Sequence, residues 1–137
     1  MLIGDALNTD EDQLLTQILG SVKIKRPDDI YILNITNNDK PLIESKIKQI
    51  KPKIILLAGE SAVKTMLNSD EAISKIRGKW QKLEGSDIHV MPIYAPSYLL
   101  LSPLKTTGSP KWLTWQDMQE VKNALQYLGQ IEKLTKN

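Results

Sequence analysis

Hydrophobic positions along the chain fall into four short blocks separated by amphipathic stretches. The blocks cover residues 1 to 4, Ile30-Tyr31-Ile32-Leu33-Asn34-Ile35, Ile54-Ile55-Leu56-Leu57-Ala58-Gly59 and Ile88-His89-Val90-Met91-Pro92-Ile93. Each has the length of a strand. The second and third are continuous apolar runs, the pattern of strands buried on both faces in a parallel sheet flanked by helices. The stretches between them repeat their apolar residues at helical spacing: Leu14, Leu15, Ile18 and Leu19 over Asp12 to Gly20, and Leu42, Ile43, Ile47 and Ile50 over Pro41 to Ile50. Beyond the third block, Ser61 to Leu67 predicts a helix with Ala62, Val63, Met66 and Leu67 inward, and a short Ile73 to Ile76 segment is ended by Gly78. Ser109-Pro110 opens a last helix, because serine caps and proline costs nothing at the first helical position. That helix is expected to reach about residue 133 and to give Leu113, Met118, Val121, Leu125 and Leu128 to the core.

Strands alternating with helices predict an α/β fold, a three-layer α/β/α arrangement with a central four-stranded, mainly parallel sheet. The 137 residues, 41% hydrophobic and 25% charged, suit one domain spanning the whole chain. In open sheets of this kind ligands sit beyond the carboxyl ends of the strands, where strand order switches. The loops after Gly4, after Ile35 and after Ile93 are therefore the places to look. The loop from Ser102 to Ser109, with Pro103 and Gly108, is the least patterned interior stretch and is expected to be mobile.

Composition removes several chemistries. No cysteine is present, which excludes disulfides, a thiolate nucleophile and Cys-ligated zinc or iron-sulfur centres, and fits a reducing cytoplasm. His89 is the single histidine, so multi-histidine metal sites are excluded too. No metal or cofactor is expected. No apolar run approaches the ~20 residues that span a bilayer, and the start of the chain lacks the charged and apolar regions of a signal peptide, so no membrane association is expected. Eighteen Lys+Arg against sixteen Asp+Glu leave a net charge of +2, too small to name a nucleic-acid partner. Basic residues do cluster locally: Lys46, Lys48, Lys51 and Lys53; Lys23, Lys25 and Arg26; Lys75, Arg77, Lys79 and Lys82. A solvated helix end explains each, and phosphate contact by Lys51, Lys53 and Arg77 is the alternative.

Two polar residues fall at strand ends. Asp5 suits a turn or a helix cap. Asn34, an amide at the end of an apolar strand, must find partners and can tie loops together. The acids Asp10, Glu11 and Asp12 suit a helix start, where they meet the positive end of the dipole. Tyr94 and Tyr98 offer stacking surfaces, and Trp80, Trp112 and Trp115 are core or interface anchors. His89 is structural or exposed.

These pieces, taken in order, resemble the uracil-DNA glycosylase superfamily, most nearly its family 4. GDALNTDED looks like that family's first motif, with Gly4, Asp5, Ala6, Asp10, Glu11 and Asp12 in pattern and Leu7 and Asn8 where proline and glycine are expected. YILNIT looks like the strand whose asparagine reads the uracil edge, which gives Asn34 that role by resemblance, as the first motif gives Asp5 the role, vestigial or kept, of positioning water. KPKIILLAGESAV is similar to the third strand and its glycine turn, and KIRGKW to the arginine-glycine turn. VMPIYAPSYLLLSP is similar to the last motif, in which His-Pro precedes a leucine loop that wedges into the DNA minor groove; KWLTWQDMQ matches the closing helix. By this resemblance Tyr94, Pro96, Ser97, Tyr98, Leu99 and Leu100 form a binding loop, with Leu99 and Leu100 as the wedge.

The departures bear on activity. Ala95 stands where the family's histidine donates to the uracil oxygen, and a methyl group cannot donate. The family also stacks the flipped base on an aromatic residue, typically phenylalanine, and this chain contains no phenylalanine. The resemblance therefore implies a catalytically degenerate glycosylase fold acting as a binding or adaptor protein in replication or repair, with a protein partner, or DNA, in place of a substrate. The alternative is a glycosylase that removes uracil or another damaged base. A second resemblance is to the psi subunit of the bacterial clamp loader. Here GDALNTDEDQLLTQIL followed by RPDDIYIL looks like that subunit's first strand, acid-containing turn, short helix and entry to the second strand.

Overall fold

The computed structural model describes residues 1–24, 31–35, 40–83, 85–101 and 106–135, the last seven of these as backbone. Ile30, Lys25 and Arg26, the loop after Ile35, and residues 102–105 of the loop expected to be mobile lie outside the described residues. In chain order the elements are β1 (Leu2–Asp5), α1 (Thr9–Ser21), β2 (Ile32–Ile35), α2 (Lys40–Ile50), β3 (Ile54–Ala58), α3 (Glu60–Leu67), α4 (Ile73–Ile76), β4 (Gln81–Lys82), β5 (His89–Ile93), α5 (Pro96–Leu100) and α6 (Pro110–Thr135).

The sheet has five strands in the order β2-β1-β3-β5-β4, one more than expected. β2, β1, β3 and β5 run parallel, and β4 adds two antiparallel residues against Val90 and His89. Its Gln81-Lys82 pair is too short and too polar to carry a strand signature. The apolar residues of β1, β3 and β5 alternate between two cores because side chains alternate across a strand. Leu2, Ile54, Leu56, Ala58, Met91 and Ile93 face Leu15, Leu19, Met118 and Val121 of α1 and α6. Ile3, Ile55, Leu57 and Val90 face Ile43, Ile47, Ala62, Val63, Met66 and Ile76 of α2, α3 and α4. Three layers result, as the β-α-β-α-β reading expects.

Position in the sheet explains where the burial forecasts fail. β3 is central and buried throughout, whereas β2 is an edge strand whose residues are half-buried or, at Asn34, exposed. Leu42, Ile50 and Leu125 are exposed rather than inward, and Leu67, Leu113 and Leu128 are half-buried. Pro92 is tolerated within β5 because of its register. His89 donates its N–H to Lys53 on the β3 side, so by alternation Pro92 faces the other edge, beyond the reach of β4. There its carbonyl accepts from Gly78 at 3.0 Å.

The helix ends differ in one case from the expected stops. α1 begins at Thr9, three residues before the predicted start. Asn8 Oδ1 accepts from Glu11 N–H, and Glu11 Oε1 accepts from Asn8 N–H, both at 2.9 Å, a reciprocal capping box. Gly20 does not end this helix. The chain continues to Ser21, and Lys23 takes the left-handed conformation at φ 63°. Lys23 donates to Gly20 O and Ile24 to Leu19 O, while Ile24 packs on the same core as Leu19. α6 starts at Pro110 with Ser109 Oγ accepting from Trp112 N–H at 3.3 Å, and its backbone runs to Thr135.

Candidate functional site

Strand order reverses between β1 and β3, since β2 lies on one side of β1 and β3 with β5 on the other. The cleft beyond the carboxyl ends of β1 and β3 is where a sheet of this kind takes its ligand. Residues from four elements meet there. Asp5 closes β1 and Ala6 follows it, Asn34 sits in β2 in register with Gly4, Ala58 closes β3, and Ala95, Pro96 and Ser97 follow β5. Together with Leu2, Leu7 and Glu11 they enclose a cavity of about 40 Å³. The fold thus brings Asp5, Asn34, Ala95, Pro96 and Ser97, which are far apart in sequence, to one place.

The size of that cavity limits its chemistry. Forty cubic ångströms accommodates a few waters at most, whereas a cavity that takes benzene, a ring of the same size class as a pyrimidine, measures about 150 Å³. Small residues draw the walls together. A Cβ on Gly59 would lie 3.0 Å from the Ala95 Cβ, so the turn after β3 packs directly on Ala95. Asp5, Asn34 and Ser97 bring polar atoms to the cavity. Ala95 and Pro96 contribute no side-chain donor. Neither tyrosine of the loop lines it: the Tyr94 and Tyr98 rings lie against each other at 4.9 Å and 38°. Tyr94 is buried, and burial pushes its hydroxyl above the ordinary value, with Tyr98 adding to the rise and Arg77 opposing it.

The remaining candidates are placed elsewhere. Leu99 is fully buried on the α5 side that contacts α1, a core position rather than the exposed one that a wedge needs, whereas Leu100 is 39% exposed. A five-residue helix sets the two apart by turning Leu99 inward. Lys51 and Lys53 precede β3, at the opposite end of the sheet from Asp5 and about 13 Å or more away along the strand. Arg77 is engaged with Asp117: its Nε donates to Oδ2 at 2.9 Å and its Nη2 to Oδ1 at 2.6 Å. That pair accounts for Arg77 without phosphate. Trp80 meets His89 edge-on at 6.0 Å and donates to Glu120, while Trp112 and Trp115 line a groove of about 310 Å³ with Leu14, Ile18 and Leu99.

Asp117 is the residue that sequence reasoning missed. Its side chain is 4% exposed; burial pushes its carboxyl up, and the Arg77 guanidinium pulls it back only in part. A signal for it was present. Thr114, Asp117, Met118 and Val121 occupy one inward stripe of α6, and a charge on an apolar stripe requires a partner. Gly78, next to Arg77, completes the arrangement at φ +75°, where a Cβ would stand 2.5 Å from the Asp117 Oδ1. The arginine-glycine turn is therefore built around the carboxylate.

Residues 4–119 match the sequence model of the uracil DNA glycosylase superfamily. The span opens at the glycine before Asp5, closes just beyond Asp117, and takes in every candidate residue of the site. With a matching α/β sheet and the strand-end cleft in the expected place, the chain belongs to the uracil DNA glycosylase superfamily.

Proposed function

We propose that this member of the superfamily works by binding rather than by catalysis, as an adaptor protein in DNA replication or repair. Service like that of the clamp-loader psi subunit is its most concrete form. The observation that carries the reading is the 40 Å³ cavity at the strand ends, too small for a flipped pyrimidine and lined by Ala95 where a donor to the developing oxyanion belongs. Oxyanion donor, stacking ring and base pocket act as a unit in such chemistry, so removing them together removes most of the rate.

The second reading, excision of uracil or another damaged base, is favoured by one fact: Asp5 and Asn34 border the same cavity. The experiment that decides is uracil release from an end-labelled oligonucleotide with protein in large excess. The adaptor reading expects none from the natural chain, and none from Ala95→His, because a restored donor does not restore room for the base. Release that disappears in Asp5→Asn would establish the glycosylase instead.

A further inference from the structure

The turn that follows α4 is held from two sides. Arg77 donates from Nε and Nη2 to the Asp117 carboxylate of α6 at 2.9 and 2.6 Å, and Gly78 N–H donates to the Pro92 carbonyl of β5 at 3.0 Å. Two successive residues therefore brace the end of β5 to α6, through a carboxylate that is itself buried. Tyr94 leaves β5 two residues beyond Pro92. It is buried beside the Arg77 charge, which opposes the rise that burial gives its hydroxyl. Its ring lies against that of Tyr98 at 4.9 Å, and Tyr98 belongs to α5. Interactions thus run from α6 through Arg77 and Tyr94 to α5.

Such support is what α5 needs. At five residues it is too short to be stable by its own hydrogen bonds, and Ala95 at its N-cap has no side-chain acceptor. Tyr98 and Leu99 donate to Ala95 O and Leu101 to Tyr98 O, all within the one turn. Tertiary contact must therefore place it: Leu99 is buried on the side that meets α1, and Tyr98 rests on Tyr94. Where α5 sits decides the shape of the cleft, because Ala95, Pro96 and Ser97, between the two tyrosines, line the 40 Å³ cavity. We infer that the Arg77–Asp117 pair, acting through Tyr94 and Tyr98, is a latch that holds α5 against the strand-end cleft and keeps that cleft closed. Released, α5 opens as a unit, at a free energy below that of unfolding the sheet. Arg77 and Asp117 are positioning residues in this device. The inference goes beyond the adaptor reading, since it assigns the cleft a second, open state whatever the protein binds.

The chain contains no cysteine, so an introduced thiol is the one that a thiol reagent finds. Alkylation by iodoacetamide is followed in Leu99→Cys, which reports α5, and in Leu56→Cys, at a buried position of β3, which reports unfolding of the sheet. The α5 thiol is expected to react faster than the β3 thiol. Asp117→Asn, an isosteric change that leaves no cavity, is expected to speed the α5 thiol by about tenfold or more, the worth of hydrogen bonds to a charged group. Tyr98→Ala, at an exposed position, cuts the link at its other end and is expected to do the same. Ile43→Val, in the core on the opposite face of the sheet, should speed the β3 thiol and leave the α5 thiol unchanged. Equal rates for the two thiols without further substitution would overturn the proposal, because α5 would then open only with the sheet. An α5 thiol indifferent to Asp117→Asn in a variant of unchanged circular dichroism would overturn it too, as would one that responds to Ile43→Val. Should Asp117→Asn fail to fold, Tyr98→Ala carries the same decision. Uracil release, which tests the adaptor reading, is a separate measurement, and neither result determines the other.

Discussion

Asp117 sits on the inner stripe of α6 between Thr114 and Met118, and Arg77 answers it with two hydrogen bonds from forty residues away. Removing one partner of such a pair leaves a charge without compensation, at a cost of about 3–5 kcal/mol. Arg77→Ala is therefore expected to lose that much stability in urea unfolding at neutral pH. The loss depends on pH with a definite sign. Removing the guanidinium removes the interaction that opposes burial at the Asp117 carboxyl, so its folded-state pKa stands further above its unfolded value. A raised group contributes stability that is full below the unfolded pKa and is lost as pH rises through the folded one. The variant should accordingly regain part of its deficit near pH 4. Leu99 and Leu100 make a second residue-scale test. Leu99→Ala empties a fully buried position and should cost about 2–5 kcal/mol, while Leu100→Ala should stay within about 0.5 kcal/mol. In sequence these neighbours are the same letter. What separates them is the docking of α5 on α1, a contact between residues some eighty positions apart that no local pattern records.

At the scale of elements, the end of α1 shows a local rule met by an unexpected residue. Gly20 invited a stop because glycine is the usual left-handed residue after a helix. The left-handed position belongs instead to Lys23, three residues on, with Lys23 and Ile24 donating back to Gly20 and Leu19. A side chain at positive φ strains the backbone, so Lys23→Gly should stabilise the protein by about 0.5–1 kcal/mol, read as a higher urea midpoint with an unchanged slope. A midpoint that falls would mean that the lysine side chain makes a compensating contact. The strands divide in the same way between legible and illegible. β3 was readable as doubly buried because five consecutive apolar residues leave no polar face, and it is central. β2 carries a similar run yet lies at the edge. Strand order is decided by how crossovers pack, not by the composition of one strand.

For the whole molecule, the carboxyl ends of the sheet gather a group of acids. Around the carboxyl ends stand Asp5, Asp10, Glu11, Asp12 and Glu60, the middle three in the first turn of α1 and the last in that of α3. Around the amino ends stand Lys48, Lys51 and Lys53. A net charge of +2 does not record this local grouping. The location of the cleft was legible in the sequence, since an α/β alternation places ligands beyond the carboxyl ends and the motif residues fall there. Its volume was not legible. Cavity size is set by how Leu2, Leu7, Ala58, Ala95 and Pro96 converge, which depends on distances between segments far apart in the chain. The acidic rim bears on DNA binding. Phosphates approaching the cleft meet carboxylates, which opposes the electrostatic term that supplies most non-specific affinity. Asp10→Lys, at an exposed position in the first turn of α1, should strengthen binding of a uracil-containing duplex several-fold at low ionic strength, measured by anisotropy. It should also cost the helix about 0.3–1 kcal/mol by opposing its dipole. The gain in affinity should vanish near 1 M salt, where the Debye length falls to about 3 Å. An affinity indifferent to Asp10→Lys at low salt would mean that duplex DNA does not approach this end of the sheet at all, and the acidic rim would then have no part in keeping it away.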